Sequence, residues 1–174
     1  MVRDRRTSIG LVVVLALAVG CGGTAGTSAG EVEEIDLAAM DAYGCGFGFW
    51  LGTPEQDVAI HIAVADPAAA TRGDISDQAV FPDEAWEATV RVGRDLFANW
   101  CDDVIEADEP EPVIDQQWPI TAGTLTLQGQ PPEPGCVGAL TATVQGLEAT
   151  RPDSTTIELG DREVTNDAWG CFAG

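Results

Sequence analysis

The chain contains no lysine, one histidine and one tyrosine in 174 residues. All eight cations are arginine, against 29 acidic residues, for a formal charge of −21. A surface of that sign repels phosphate backbones, so nucleic acid is strongly disfavoured and is not expected as a partner. Anionic lipid and acidic polymers are repelled too, unless divalent cations bridge them. No CxxC pair occurs, and a single histidine leaves too few nitrogen ligands for a zinc site. No GxSxG, HExxH or SxxK motif stands in a context that would support hydrolysis. Beyond the N-terminal segment no apolar run approaches the ~20 residues of a membrane span.

What is present begins at the N-terminus. Arg3, Arg5 and Arg6 form a basic cluster, followed by an apolar stretch from Ile9 to Val19. That is the layout of a secretory signal, too short for a comfortable bilayer crossing. The stretch closes on Ala18-Val19-Gly20-Cys21. This tetrapeptide resembles the lipobox of bacterial lipoproteins, with Ala18 standing where leucine is more usual. The resemblance covers residues 1–21 and implies cleavage before Cys21, with a diacylglyceryl group on its sulfur. It therefore implies palmitate-like acyl chains, a bilayer partner reached through Cys21, and residence on the outer face of a bacterial cell membrane. Each buried methylene contributes about 0.8 kcal/mol, and two chains are what stable anchoring takes. Cleavage would remove Arg3, Arg5, Arg6 and Asp4, moving the formal charge from −21 to −23.

Gly22 to Gly30 read GGTAGTSAG, a flexible coil with nothing to bury. The expected organisation is a signal peptide over 1–20, the lipidated cysteine with tether and lead-in over 21–40, and one folded domain over 41–174. A domain of that size supports a single core.

Four cysteines remain after Cys21: Cys45, Cys101, Cys136 and Cys171. An even number in an exported chain points to disulfides. Of the three possible pairings the expectation is Cys45–Cys101 with Cys136–Cys171. Cys136 precedes one strand pattern and Cys171 ends the last, so antiparallel pairing would set them opposite each other. Cys45–Cys101 follows by elimination.

From residue 40 onward the apolar period is two. Tyr43, Cys45, Phe47, Phe49 and Leu51 alternate with Gly44, Gly46, Gly48 and Trp50, and read as one strand. Thr53 to Gln56 turns the chain into a second strand, Val58 to Val64. Further alternations surround Gln78–Phe81, Ala88–Val92, Thr124–Leu127, Leu140–Gln145 and Thr156–Leu159, with a turn at Gly160-Asp161. Asp95 to Asp103 fits a helical turn or an extended arm equally well. Seven or eight short strands with one polar face predict an all-β domain: a disulfide-stapled antiparallel β-sandwich, immunoglobulin-like in architecture, with a small open barrel second.

Three groups of residues are candidates for chemistry. Asp102, Asp103, Glu106, Asp108 and Glu109 form an acidic stretch able to offer oxygen ligands to calcium, the one cofactor considered. Its spacing matches no EF-hand, and a solvated acidic loop is the simpler reading. His61 would be a general base or a pH-sensitive contact, or a strand residue on the polar face. Trp50 lies on the glycine face of its strand, where its ring would cover glycine or stack on a sugar, and Trp86 is expected in a loop; exposed tryptophan beside carboxylates suits carbohydrate or peptide. Trp100 and Trp169, beside Cys101 and Cys171, are expected to pack on disulfides. No catalytic residue is assigned. The leading expectation is a non-enzymatic binding or interaction module at the cell envelope, its partner an envelope protein or glycan. The alternatives are a small glycan-directed enzyme using acidic residues and a calcium-binding structural protein.

Overall fold

The computed structural model describes residues 32, 34–71, 76–101, 110–129 and 139–170. Cys21, Cys136, Cys171 and the stretch from Asp102 to Glu109 lie outside the described residues, and with them the expected lipid anchor, the Cys136–Cys171 pair and the calcium stretch.

The described chain is nearly all-β, and every pairing between its strands is antiparallel. The elements are β1 (Asp41–Cys45), β2 (Gly48–Gly52), β3 (Val58–Val64), a one-turn helix α1 (Pro67–Thr71), β4 (Gln78–Val80), β5 (Trp86–Arg94), β6 (Val113–Gly129), β7 (Leu140–Thr150) and β8 (Thr156–Asn166). Their hydrogen-bonded order is β1-β2-β3-β5-β6-β7-β8, with β4 placed against β6.

The long strand β6 joins the two halves. Its first part pairs with β5 through Gln117↔Arg91 and Trp118↔Val90. Its second part pairs with β7 on one side and β4 on the other. Between them the register shifts twice, from Ile120 to Ala122 and from Ala122 to Thr124. Such bulges bend a strand and increase its twist, and here they curl the sheet around its own apolar face. Large residues at alternate positions of both halves fill the interior, among them Phe49, Ile60, Trp86, Leu125, Val144 and Trp169. Full burial of side chains of this size contributes about 1.5–3 kcal/mol each.

The curl brings β8 back over the β1–β2 hairpin. Asn166, fully buried, donates from Nδ2 to the carbonyls of Gly46 (3.2 Å) and Gly48 (2.9 Å), and its Oδ1 accepts from the amide of Ala168 (2.9 Å). Gly170 N–H donates to the Gly46 carbonyl at 2.8 Å. A Cβ at Gly44 would overlap Asn166, so only glycine permits this approach. Replacing Asn166 by alanine is expected to cost about 2–3 kcal/mol, because the buried Gly48 carbonyl loses the Asn166 donor, the Ala168 N–H loses its acceptor, and Gly46 keeps only the Gly170 N–H. Urea denaturation of the variant checks this.

Two expectations about local structure are corrected. The alternation from Tyr43 to Leu51 is two strands: the chain reverses at Gly46-Phe47, with Gly46 at φ 54°, and Tyr43 pairs with Trp50. Glycine in the left-handed region is what a two-residue hairpin loop demands. The predicted turn at Gly160-Asp161 is the interior of β8, where Leu147↔Gly160 follows a register shift in β7. The expected turn at Thr53–Gln56 and the strand after it are found. The folded core also reaches further back than residue 41. Ile35, Leu37 and Met40 are buried in it, and Arg162 donates to the carbonyls of Ala38 (3.0 Å) and Met40 (3.1 Å).

Candidate aromatic cleft

The face of β2, β3 and β5 that points away from the core carries Trp50, His61, Ala59 and Arg91. Their alternation partners Phe49, Leu51, Ile60, Ile62 and Val90 go inward. Trp50 pairs with His61 across β2–β3, and Ala59 with Arg91 across β3–β5. The Trp50 and His61 rings therefore stack, with centroids 4.1 Å apart, and the Arg91 guanidinium lies 4.9 Å from the centre of the indole. Cation–π attraction of this kind contributes about 0.5–2 kcal/mol, more as the pair is desolvated.

A strap covers this face. After β5 the chain makes consecutive turns over residues 95–101, with Ala98 N–H bonded to the Asp95 carbonyl and Trp100 N–H to that of Phe97. At its start Leu96 N–H donates to the Gln56 carbonyl at 3.1 Å, and at its end Cys101 is disulfide-bonded to Cys45, with Cα atoms 6.1 Å apart. Between these pins Leu96, Phe97 and Trp100 come down on Trp50 and Ala59 as a second, smaller apolar cluster. Phe97 and Trp100 meet the Trp50 ring edge-on at 5.8 and 5.6 Å, and Tyr43 from β1 completes the group 5.2 Å from Phe97. Tyr43 remains 42% exposed and forms the rim. The Asp95–Asp103 question thus resolves, over its described part, as a turn-rich strap, and the Cys45–Cys101 expectation is met.

Beside the strap a cavity of about 380 Å³ opens along the disulfide. Gly46 and Gly48 give it a floor without side chains, and Trp50, His61, Ala63 and Trp100 form its walls. Its surface is mostly apolar, and its volume is within the ~300–1,000 Å³ usual for small-ligand sites.

His61 is neutral in this setting. Burial, with the Arg91 cation second, pushes its imidazole down from 6.5 to about 4. Arg91 Nη2 approaches His61 Nδ1 at 3.5 Å. Guanidinium only donates, so Nδ1 accepts and the ring proton resides on Nε2. Because the folded pKa lies below the unfolded one, the unfolded chain takes up the proton first on acidification. Stability tied to His61 is therefore complete above about pH 6.5 and is lost as pH falls from 6.5 toward 4, by about 3 kcal/mol in all. Stability measured across that window should decline in the native protein, and His61→Gln should remove this part of the decline.

The other expected site residues fall elsewhere. Trp86, expected in an exposed loop, is 2% exposed and lies in the core 6.2 Å from Trp169. It opens β5 as the partner of Val64, and the alternation that exposes Glu87 turns the indole inward. It does not line the cavity. Trp50 lines the same cavity as Gly46 and Gly48, but its ring is packed by His61, Phe97 and Trp100, so it walls the cavity rather than offering an open stacking surface. Among the described residues no group of three or more His, Cys, Asp or Glu is placed to hold a metal ion. Sequence reasoning missed Arg91, Phe97 and Tyr43 as members of the site. No family model, characterised protein or solved structure matches the chain.

Proposed function

We propose that this chain is an exported, lipid-anchored binding module of the bacterial cell envelope, without catalytic activity, which engages its ligand through the cleft between the Cys45–Cys101 strap and the outer sheet face. The observation that carries the reading is the cavity itself. A rigid antiparallel frame positions Trp50, His61 and Trp100 around a glycine floor, and a disulfide holds the covering strap in place. The His61 ring, protonated on Nε2 and backed by a cation, is a donor and a poor general base, which favours recognition over hydrolysis. The frame we propose is sandwich-like, and what supports it is that the two halves of the curled sheet meet through Trp86, Phe49 and Trp169. The lipobox-like residues ending in Cys21 and the glycine-rich run after it supply the anchor and tether, and the disulfide suits an oxidising compartment. A partner is an envelope component approached at membrane height, with nucleic acid disfavoured by charge.

Photocrosslinking from the exposed Tyr43 rim, in intact cells making the full chain, tests the reading. One dominant envelope product, lost when excess soluble domain is added, is the expected result. Crosslinks spread evenly over abundant proteins, or none at all, would overturn it. In the same cells Cys21→Ser should release the protein from the membrane fraction.

A further inference from the structure

Resting on the binding reading, we propose that the cleft takes an uncharged, apolar group bearing one carbonyl acceptor, with the His61 Nε2–H as the donor that orients it. Both Gly48 and His61 line the cavity. Nε2 sits over Gly48, 3.5 Å from where a Cβ on that residue would stand. A methyl group there would stand tightly, at 3.2 Å, against the Ala63 Cβ and the Ile62 carbonyl oxygen, so glycine keeps the floor open beneath Nε2.

That atom has a defined role. Arg91 occupies Nδ1 at 3.5 Å, which leaves Nε2–H as a donor with no hydrogen-bond partner among the described residues. A cation behind an imidazole withdraws charge and makes the opposite N–H a better donor. A carboxylate in that position would instead make the opposite nitrogen a base. The surrounding walls are indole, alanine and disulfide, so the body of the ligand is apolar and flat or compact.

The charge of the ligand follows from what the cavity lacks. A cation would meet a donor and, behind it, a guanidinium. A carboxylate would be desolvated in an apolar site with one donor, which is costly, and would approach a chain of formal charge −21. A neutral carbonyl needs only the single bond that His61 offers.

Three probes of similar size separate these cases: benzamide, benzoate and benzylamine, each titrated into the isotope-labelled soluble domain while the side-chain N–H signals of His61 and Trp50 are followed by NMR. Benzamide should saturate with shifts at both, and the two charged analogues should bind at least about tenfold more weakly. His61→Phe, which keeps the apolar wall, should weaken benzamide about tenfold, and His61→Gln, which keeps a donor, should recover part of the loss. Equal or tighter binding of benzoate or benzylamine would overturn the ligand class while leaving the cleft a binding surface. No saturable shift from any probe, or benzamide binding that is indifferent to both substitutions, would overturn the inference. The crosslinking experiment separately decides whether the cleft binds at all.

Discussion

Trp169→Ala should lower the stability of the domain by about 3–5 kcal/mol, the usual cost of truncating a fully buried large aromatic residue. Trp169 is 1% exposed and joins the two halves of the curled sheet. Its ring touches Phe47 and Phe49 from the first hairpin, with centroids at 5.6 and 5.4 Å, and Trp86 at the start of β5. Its backbone forms the bridge with Gly46 at the point of closure. Loss of the indole would leave a cavity ringed by Phe47 in the hairpin loop and by Phe49 and Trp86, which strand pairing holds in place, so little collapse can refill it. Domains of this size have total stabilities of about 5–15 kcal/mol, and the variant would stand near the edge of folding. Urea denaturation followed by far-UV circular dichroism reads the change, and Trp169→Phe, which refills most of the space, should cost less than half as much.

Removing the Cys45–Cys101 bond should have an effect of similar size by a different route. The cysteines are 56 residues apart in sequence, and the chain-entropy relation gives about 4 kcal/mol for a loop of that length, acting through the unfolded state. The Cys45→Ala/Cys101→Ala variant should therefore lose about 2–4 kcal/mol. It should also show a local change that Trp169→Ala does not. Among the described residues the far end of the strap over residues 95–101 is tied to the sheet by the Cys101 disulfide, with Asn99 bonded to the Pro110 carbonyl beside it, so without the disulfide Phe97 and Trp100 should lose much of their hold on Trp50. Trp50, now 7% exposed, would become wetter, and native-state fluorescence should shift to the red. Amide exchange would quicken in the strap before it does so in β3 or β7. Unchanged fluorescence and protection in the strap would mean that Leu96 and Phe97 hold the cover unaided.

How far the sequence disclosed this arrangement depends on the range of the interaction. The strand pattern of β3, β5 and β7 is local alternation, and it was legible residue by residue. The hairpin at Gly46-Phe47 was not, because alternation continues in phase through a two-residue reversal. Tyr43 and Leu51 look like members of one face until the chain is folded at glycine. β6 was underread because Pro119 and the polar residues before it hide a continuous strand whose two parts pair with different neighbours. At the cleft, His61 and Trp50 were visible as residues but not as a stacked pair, since strand register decides that contact. Arg91 was one arginine in an alternating strand until register placed it beside His61. The strap had one usable signal. Pairing Cys45 with Cys101 brings Tyr43 and Trp100, two residues before one cysteine and one before the other, into the same neighbourhood. Trp86 was misplaced because the acidic turn before it, Pro82-Asp83-Glu84, suggests solvent, whereas strand pairing with Val64 begins at the tryptophan itself.

The central claim is that the cleft belongs to a protein outside the cytoplasm, with its strap closed by Cys45–Cys101. Intact-mass and disulfide-mapping spectrometry on the protein isolated from native membranes tests it most directly. The account predicts a chain beginning at a diacylglyceryl-modified Cys21 and a peptide linking Cys45 to Cys101. A soluble, uncleaved chain with Cys45 and Cys101 as free thiols would contradict it.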